Sequence, residues 1–212
     1  LRHFKLFNAN PADDIRNNIS LALDRSSEKS VNVRSFDPNQ PKGHPFSYGL
    51  KNVDDVISVL NSRSSDGLYT IVNETVNTND GGVSGVALGD IVEFTPNDTP
   101  KGVDKEGVCT LDKKMAITIL KAVYGFKPDI AFPRNRRLEF SIHPVRRGIQ
   151  HQNTILWELE RFENPITKMA ISWPNNFSKF IGDKVFGLLV ADSLGFNVPK
   201  TTAIPRSIAP FN

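Results

Sequence analysis

Cysteine is almost absent from this 212-residue chain: Cys109 is the only one. One thiol cannot close an internal disulfide, which excludes a disulfide-stapled scaffold and points to a reducing, cytoplasmic setting. Long apolar runs are also missing. Nothing approaches the ~20 apolar residues that cross a bilayer, and Leu1 to Asn10 lacks the apolar core of a signal peptide, so no membrane association is expected. The only methionines are Met115 and Met169, and the chain stops at Ala209-Pro210-Phe211-Asn212 just after a strand-like stretch, so it reads as a trimmed piece of a longer protein. No second histidine stands at ligand spacing from His143, which argues against zinc. Cys109 has no nucleophile context around it. Internal repeats and low-complexity tracts are lacking as well.

What is present is ordinary for a globular domain, with 39% hydrophobic and 23% charged residues. The net charge of +3 suits nucleotides, acidic substrates or nucleic acid without choosing among them. Asn10-Pro11, followed by Asp13 and Asp14, predicts a helix with Ile15, Ile19 and Leu23 on one face. Val31 to Phe36 alternates as a strand that sets Arg34 opposite Val31 and Val33. Asp37 to Gly49 reads as a loop, and Asn52 caps a second helix carrying Val56, Ile57 and Leu60. Strands are expected over 68–76, 83–88 and 91–94, with a turn at Asn79-Asp80-Gly81-Gly82. A third helix over 112–124 ends at Gly125.

An antiparallel pair follows. In the first strand Leu138, Phe140 and Ile142 oppose Arg137, Glu139, Ser141 and His143. In the second, Ile155, Trp157 and Leu159 oppose Thr154, Leu156, Glu158 and Glu160. Pro165 to Asn176 reads as a linker with some packing by Trp173, and 183–194 as a fourth helix closed by Gly195. The expected fold class is α/β of the α+β kind, a mixed and largely antiparallel sheet with flanking helices.

Five groups of residues can carry chemistry, and each has a plainer explanation beside it. Arg34 presents a planar fork suited to phosphate, or makes a strand-end salt bridge. Asp80, Gly81, Gly82, Ser84 and Gly85 let backbone N–H groups approach an anion, or form a hairpin turn and bulge. Glu139 and Glu158 on adjacent strands suit Mg2+ shared with phosphate oxygens, or pair with Arg137, Arg146 or Arg147. Arg134, Arg136, Arg137, Arg146 and Arg147 follow a polyanion backbone, or form a solvated face paired with carboxylates. Lys184 meets phosphate at a helix start, or simply belongs to an ordinary helix.

In their order along the chain, Val33-Arg34-Ser35, Ser84-Gly85-Val86, Leu138-Glu139-Phe140 and Ile155-Leu156-Trp157-Glu158 resemble the nucleotide-binding domain of pyruvate phosphate dikinase and phosphoenolpyruvate synthase, within the ATP-grasp superfamily. In that family a Val-Arg-Ser segment gives an arginine to the ATP phosphates, a Ser-Gly-Val strand lines the site, and a strand pair supplies metal and nucleotide contacts. The resemblance implies ATP and Mg2+ as cofactors, with phosphoryl transfer to, or ATP-dependent activation of, an unknown acceptor. Arg34 and Lys184 would then be catalytic. Arg34, Asp80, Gly81, Gly82, Ser84, Gly85 and Lys184 would contact the nucleotide, and Glu139 and Glu158 the metal. Two features depart from the pattern: Glu158 stands where the family has glutamine, and the glycine–lysine helix, matched by Gly182 to Thr202, follows the Val-Arg-Ser segment. The implied layout is a nucleotide-binding region over 1–164, a linker over 165–180, and a second or permuted subdomain beginning at 181. Two rival functions are a nucleic-acid-binding module using the arginine hairpin and a scaffold of this family without turnover.

Overall fold

The computed structural model describes residues 14–37, 39, 44–76, 79–98, 105–131, 135–147, 151–161 and 171–201. The chain divides between Val76 and Asn77 into two compact units, both α+β with antiparallel sheets and flanking helices.

In the first unit β1 (Val31–Phe36) lies between β2 (Phe46–Leu50) and β3 (Tyr69–Glu74). Alternation decides its layers, because Val31 and Val33 bury against Ile19 and Leu23 of α1 (Ile15–Arg25) and Val56 of α2 (Val53–Ser65). Each helix starts on a side-chain cap. Asp14 accepts from the Arg16 N–H at 3.0 Å, and Asn52 from the Asp55 N–H at 2.8 Å. The cap expected at Asn10 lies outside the described residues. Ile15 is 57% exposed, so the buried stripe of α1 begins a turn later than the spacing predicts. The predicted loop 37–49 contains most of β2. This short edge strand is held by a bulged pairing with β1 and by the Gly49 N–H, which donates to Asn32 Oδ1 at 2.9 Å. Gly49 adopts a φ of +69°, which reads as a turn in sequence, and only the distant partner strand makes it part of a sheet.

The second unit is a five-stranded sheet in the order β6-β5-β4-β7-β8, antiparallel throughout. Its strands are β4 (Val83–Leu88), β5 (Ile91–Pro96), β6 (Cys109–Asp112), β7 (Arg136–Arg147) and β8 (Gln152–Arg161). Helices α3 (Lys113–Tyr124), α4 (Asn176–Ile181) and α5 (Asp183–Ser193) contribute to one core with the apolar side of this sheet. Asp112 caps α3 by accepting from the Met115 N–H at 2.9 Å, and Gly125 closes it at a φ of 77°. Met115, Ala116, Ile119, Leu120 and Val123 are its buried stripe.

The expected boundary at 164 lies outside the described residues, and the division between compact units falls at Val76/Asn77. Within the expected linker, Asn175 and Ser178 form a capping box that starts α4, and Phe177 is fully buried edge-on to Phe94 at 4.8 Å. Trp173 meets Phe186 edge-on at 5.4 Å. It also covers Gly187, where an added Cβ would sit 2.3 Å from the indole. These aromatic contacts bind residues 173–189 to the five-stranded sheet, so they extend the second unit instead of opening a third. Among the described residues no helix is long and apolar enough to cross a membrane.

Candidate functional site

The two faces of the five-stranded sheet differ in chemistry. Leu138, Phe140 and Ile142 of β7 point into the helix-covered core with Val83, Ala87 and Phe94. Period-two alternation sends Arg137, Glu139, Ser141 and His143 to the other face. Register then builds rows across that face: Glu93, Val86, Glu139 and Glu158 in one, Thr95, Ser84 and Ser141 in the next. Ser84, Ser141 and His143 are wholly buried, and Glu139 is 5% exposed.

Glu139 and Glu158 are partners across β7 and β8. Strict alternation along β8 would have grouped Glu158 with Leu156, which pairs with core-facing Phe140. A one-residue bulge at Trp157 changes this. With Phe140 opposite Leu156 and Glu139 opposite Glu158, Trp157 is the extra residue, and Glu158 returns to the polar face. The simple alternation expected for this strand therefore fails at Trp157, and its failure is what aligns the two carboxylates.

Glu139 already has a cation, because Arg137 Nη1 donates to Glu139 Oε1 with both side chains largely buried. That is the arginine pairing the sequence offered as the plainer alternative. Buried ion pairs of this kind are costly to break by removing one partner, since the other charge is stranded. For a divalent metal the face supplies two aligned carboxylates. Among the described residues no group of three or more His, Cys, Asp or Glu side chains forms a metal cluster. Mg2+ is commonly held by one or two carboxylates together with substrate phosphates, and the Glu139–Glu158 pair fits that mode.

A second network was invisible in the sequence. Trp157 Nε1–H donates to Ser141 Oγ at 2.8 Å, Ser141 Oγ lies 2.8 Å from His143 Nε2, and His143 Nδ1 lies 3.1 Å from Asp80 Oδ2. Arg147 Nε also donates to Asp80 Oδ2 at 3.1 Å, and the Gly82 N–H to Asp80 Oδ1 at 3.0 Å. Burial raises the Asp80 carboxyl, but the hydrogen bond and electrostatic attraction of His143, the charge of Arg147 and the Gly82 N–H outweigh it. Asp80 accordingly titrates below the ordinary aspartate range. The signal in the sequence was the Ser141/His143 alternation, and what it lacked was a partner 63 residues away.

The glycine segment serves packing. An added Cβ at Gly82 would lie 2.4 Å from the Ile142 carbonyl oxygen, and one at Gly85 would lie 2.2 Å from Phe140 Cζ. Gly81 takes a φ of +88° in the turn, and its carbonyl accepts from Tyr124 Oη–H at 3.0 Å. Burial, with the Asp80 charge added to it, pushes the Tyr124 hydroxyl far up and keeps it a neutral donor. Ser84 lies inside a strand buried along its whole length. The turn-and-strand alternative thus describes Asp80 to Val86, with Asp80 engaged by His143 and Arg147.

Lys184 is exposed near the start of α5. Because α5 inserts Phe186 and Leu189 into the core shared with Phe140, the sheet separates Lys184 from the Glu139–Glu158 pair. No periodicity within a helix tells which face of a distant sheet it will cover. Arg34 is half-buried in the first unit, on the face opposite Val31 and Val33 as alternation requires, and it pairs in register with Phe46 and Ile71. Of the arginine cluster, Arg137 and Arg147 are engaged by Glu139 and Asp80, Arg136 and Arg146 are exposed, and Arg134 lies outside the described residues. Cys109 is buried, which pushes its thiol up to about 12 against a hydrogen bond from Asn175, so it is no nucleophile at neutral pH. Comparison with family models, curated proteins and solved structures finds no match to this chain. The ATP-grasp resemblance therefore stands on the motifs themselves.

Proposed function

We propose that this chain is an ATP-grasp-type protein, cytoplasmic, that binds Mg-ATP for phosphoryl transfer to, or ATP-dependent activation of, an acceptor substrate. The observation that carries the reading is the register partnership of Glu139 and Glu158, made possible by the bulge at Trp157. Two carboxylates set side by side on a largely buried face favour cations beside them; Arg137 already meets Glu139, and the pair could add a divalent ion shared with phosphate oxygens. A bound Mg2+ would neutralise charge developing on the transferred phosphoryl group.

This chain's own residues have separate tasks in that reading. Glu139 and Glu158 hold the metal, and Arg137, paired with Glu139, keeps that side chain oriented until the nucleotide arrives. Arg34 offers its guanidinium to a phosphate as an independent part of the proposal, while Lys184 is left outside the carboxylate site. The test is calorimetric titration with Mg-ATP. Glu139→Gln with Glu158→Gln is expected to lower affinity at least ~10-fold, the equivalent of about 1.4 kcal/mol. Wild-type protein that fails to bind Mg-ATP, or a double variant that binds it unchanged, would sink the assignment.

A second reading draws on the Arg137–Glu139 pair. If Arg137 never releases Glu139, the fold is a scaffold without turnover. Arg137→Ala then creates divalent-cation binding that the wild type lacks.

A further inference from the structure

We infer that Asp80, His143 and Ser141 form a positioning relay whose task is to hold Trp157 in the β8 bulge, and thereby to keep Glu158 across from Glu139. The inference rests on reading that carboxylate pair as the binding pair, and it goes further by naming what sets the pair's geometry.

Hydrogen-bond direction runs one way along the chain. An indole Nε1–H only donates, so Ser141 Oγ accepts from Trp157 at 2.8 Å. We assign His143 as the Nδ1-protonated tautomer, so that the Ser141 hydroxyl donates to His143 Nε2, 2.8 Å away. His143 Nδ1 then donates to Asp80 Oδ2 at 3.1 Å. Asp80 is anchored in turn by Arg147 and by the Gly82 N–H of its own turn. Every donor has one acceptor in this arrangement, and such chains polarise one another in a buried setting. Ser141 and His143 are fully buried, so water offers them no substitute partners.

The consequence falls on register. A bulge residue lacks a partner across the ladder, so its position depends on its side chain. Trp157 is fastened to the polar face by one hydrogen bond to Ser141, while Leu156 is drawn to the opposite face and packs against the core. Without that bond the indole N–H is left without its partner on the sheet. The local relief is for β8 to resume strict alternation, which moves Glu158 to the face of Leu156 and away from Glu139. His143 and Asp80 act one and two steps back, by leaving the Ser141 oxygen lone pairs facing the indole.

The experiment follows the Trp157 indole proton by NMR, assigned through its disappearance in Trp157→Phe, together with calorimetric titration of Mn2+-ATP. In wild-type protein the indole proton is expected to exchange slowly with solvent. In Ser141→Ala, with the far-ultraviolet circular dichroism unchanged, its exchange should accelerate at least ~10-fold and Mn2+-ATP affinity should fall by a similar factor. Ser141→Thr, which keeps the hydroxyl, should restore both. If Ser141→Ala does not fold, Trp157→Phe tests the same bond from the other side, and unchanged affinity in that variant overturns the relay. Equal indole exchange in wild type and Ser141→Ala overturns it too. Should wild-type protein bind no Mn2+-ATP, the proposed function falls, and the relay is still decided by the exchange rates alone.

Discussion

The two faces of the five-stranded sheet are made by the same strands, often by neighbouring residues, and they are ordered by different forces. On one face Phe94, Phe140, Ile142 and Phe177 lie in a core with three helices, where attraction is non-directional and shape decides the fit. On the other, Glu139, Ser141 and His143 are as deeply buried, and each is placed by a bond to a specific atom. An apolar contact tolerates a neighbour of similar volume. A polar contact in a buried site requires its own partner, and losing one leaves the other unsatisfied. A site that aligns two carboxylates needs the second kind of order, because alignment is a matter of angles as well as of filling space.

The apolar side breaks most severely. Phe140→Ala is expected to destabilise the protein by about 3–5 kcal/mol, measured by urea unfolding, because it opens a cavity against Gly85 and the helices. Phe140→Leu should cost far less. Equal losses in the two variants would show that the face is held by something other than packing. Gly85→Ala comes next, at about 1–3 kcal/mol, since its Cβ must displace the Phe140 ring and the Glu93 carbonyl, 2.2 and 2.7 Å away. Combining it with Phe140→Leu should recover part of that loss, and strict additivity would deny the contact.

The smallest effect sharpens the polar side. Asp80 titrates lower in the folded protein than in the unfolded chain. Its stabilisation is therefore complete above the unfolded aspartate value of about 3.9, and it is lost as pH falls through the lower folded value. Wild-type protein should exceed Asp80→Asn in stability by a constant margin at neutral pH, and the margin should shrink once pH drops below about 4. A gap that persists undiminished through the acid range would mean that Asp80 carries no such depressed titration.

Much of this was legible from local pattern. The two faces of β7, the cap at Asn52, the buried stripe of α3 and the place of Arg34 opposite Val31 and Val33 all followed from spacing. Errors arose where a distant partner determines the outcome. Phe46 to Leu50 looks like a loop until β1 pairs with it, and Cys109 to Asp112 is a strand only beside β5. Residues 165–180 look like a linker because two prolines and an Asn-Asn pair break any local period, yet Phe177 is as buried as any side chain among the described residues. The candidate site was half legible: both carboxylates, and Arg137 among the arginines that could hold one, could be named, while the bulge placing the other could not.

The sequence by itself determined the α+β class, most elements and the split between apolar and polar faces, because these depend on periods of two and 3.6 residues written locally in the chain. Tertiary structure alone decided that Glu158 faces Glu139, that His143 finds Asp80, and that Lys184 ends up across the sheet from both carboxylates. Each of these depends on register or docking between segments far apart in sequence. A shift of one residue in such a pairing reverses every face without changing any local pattern.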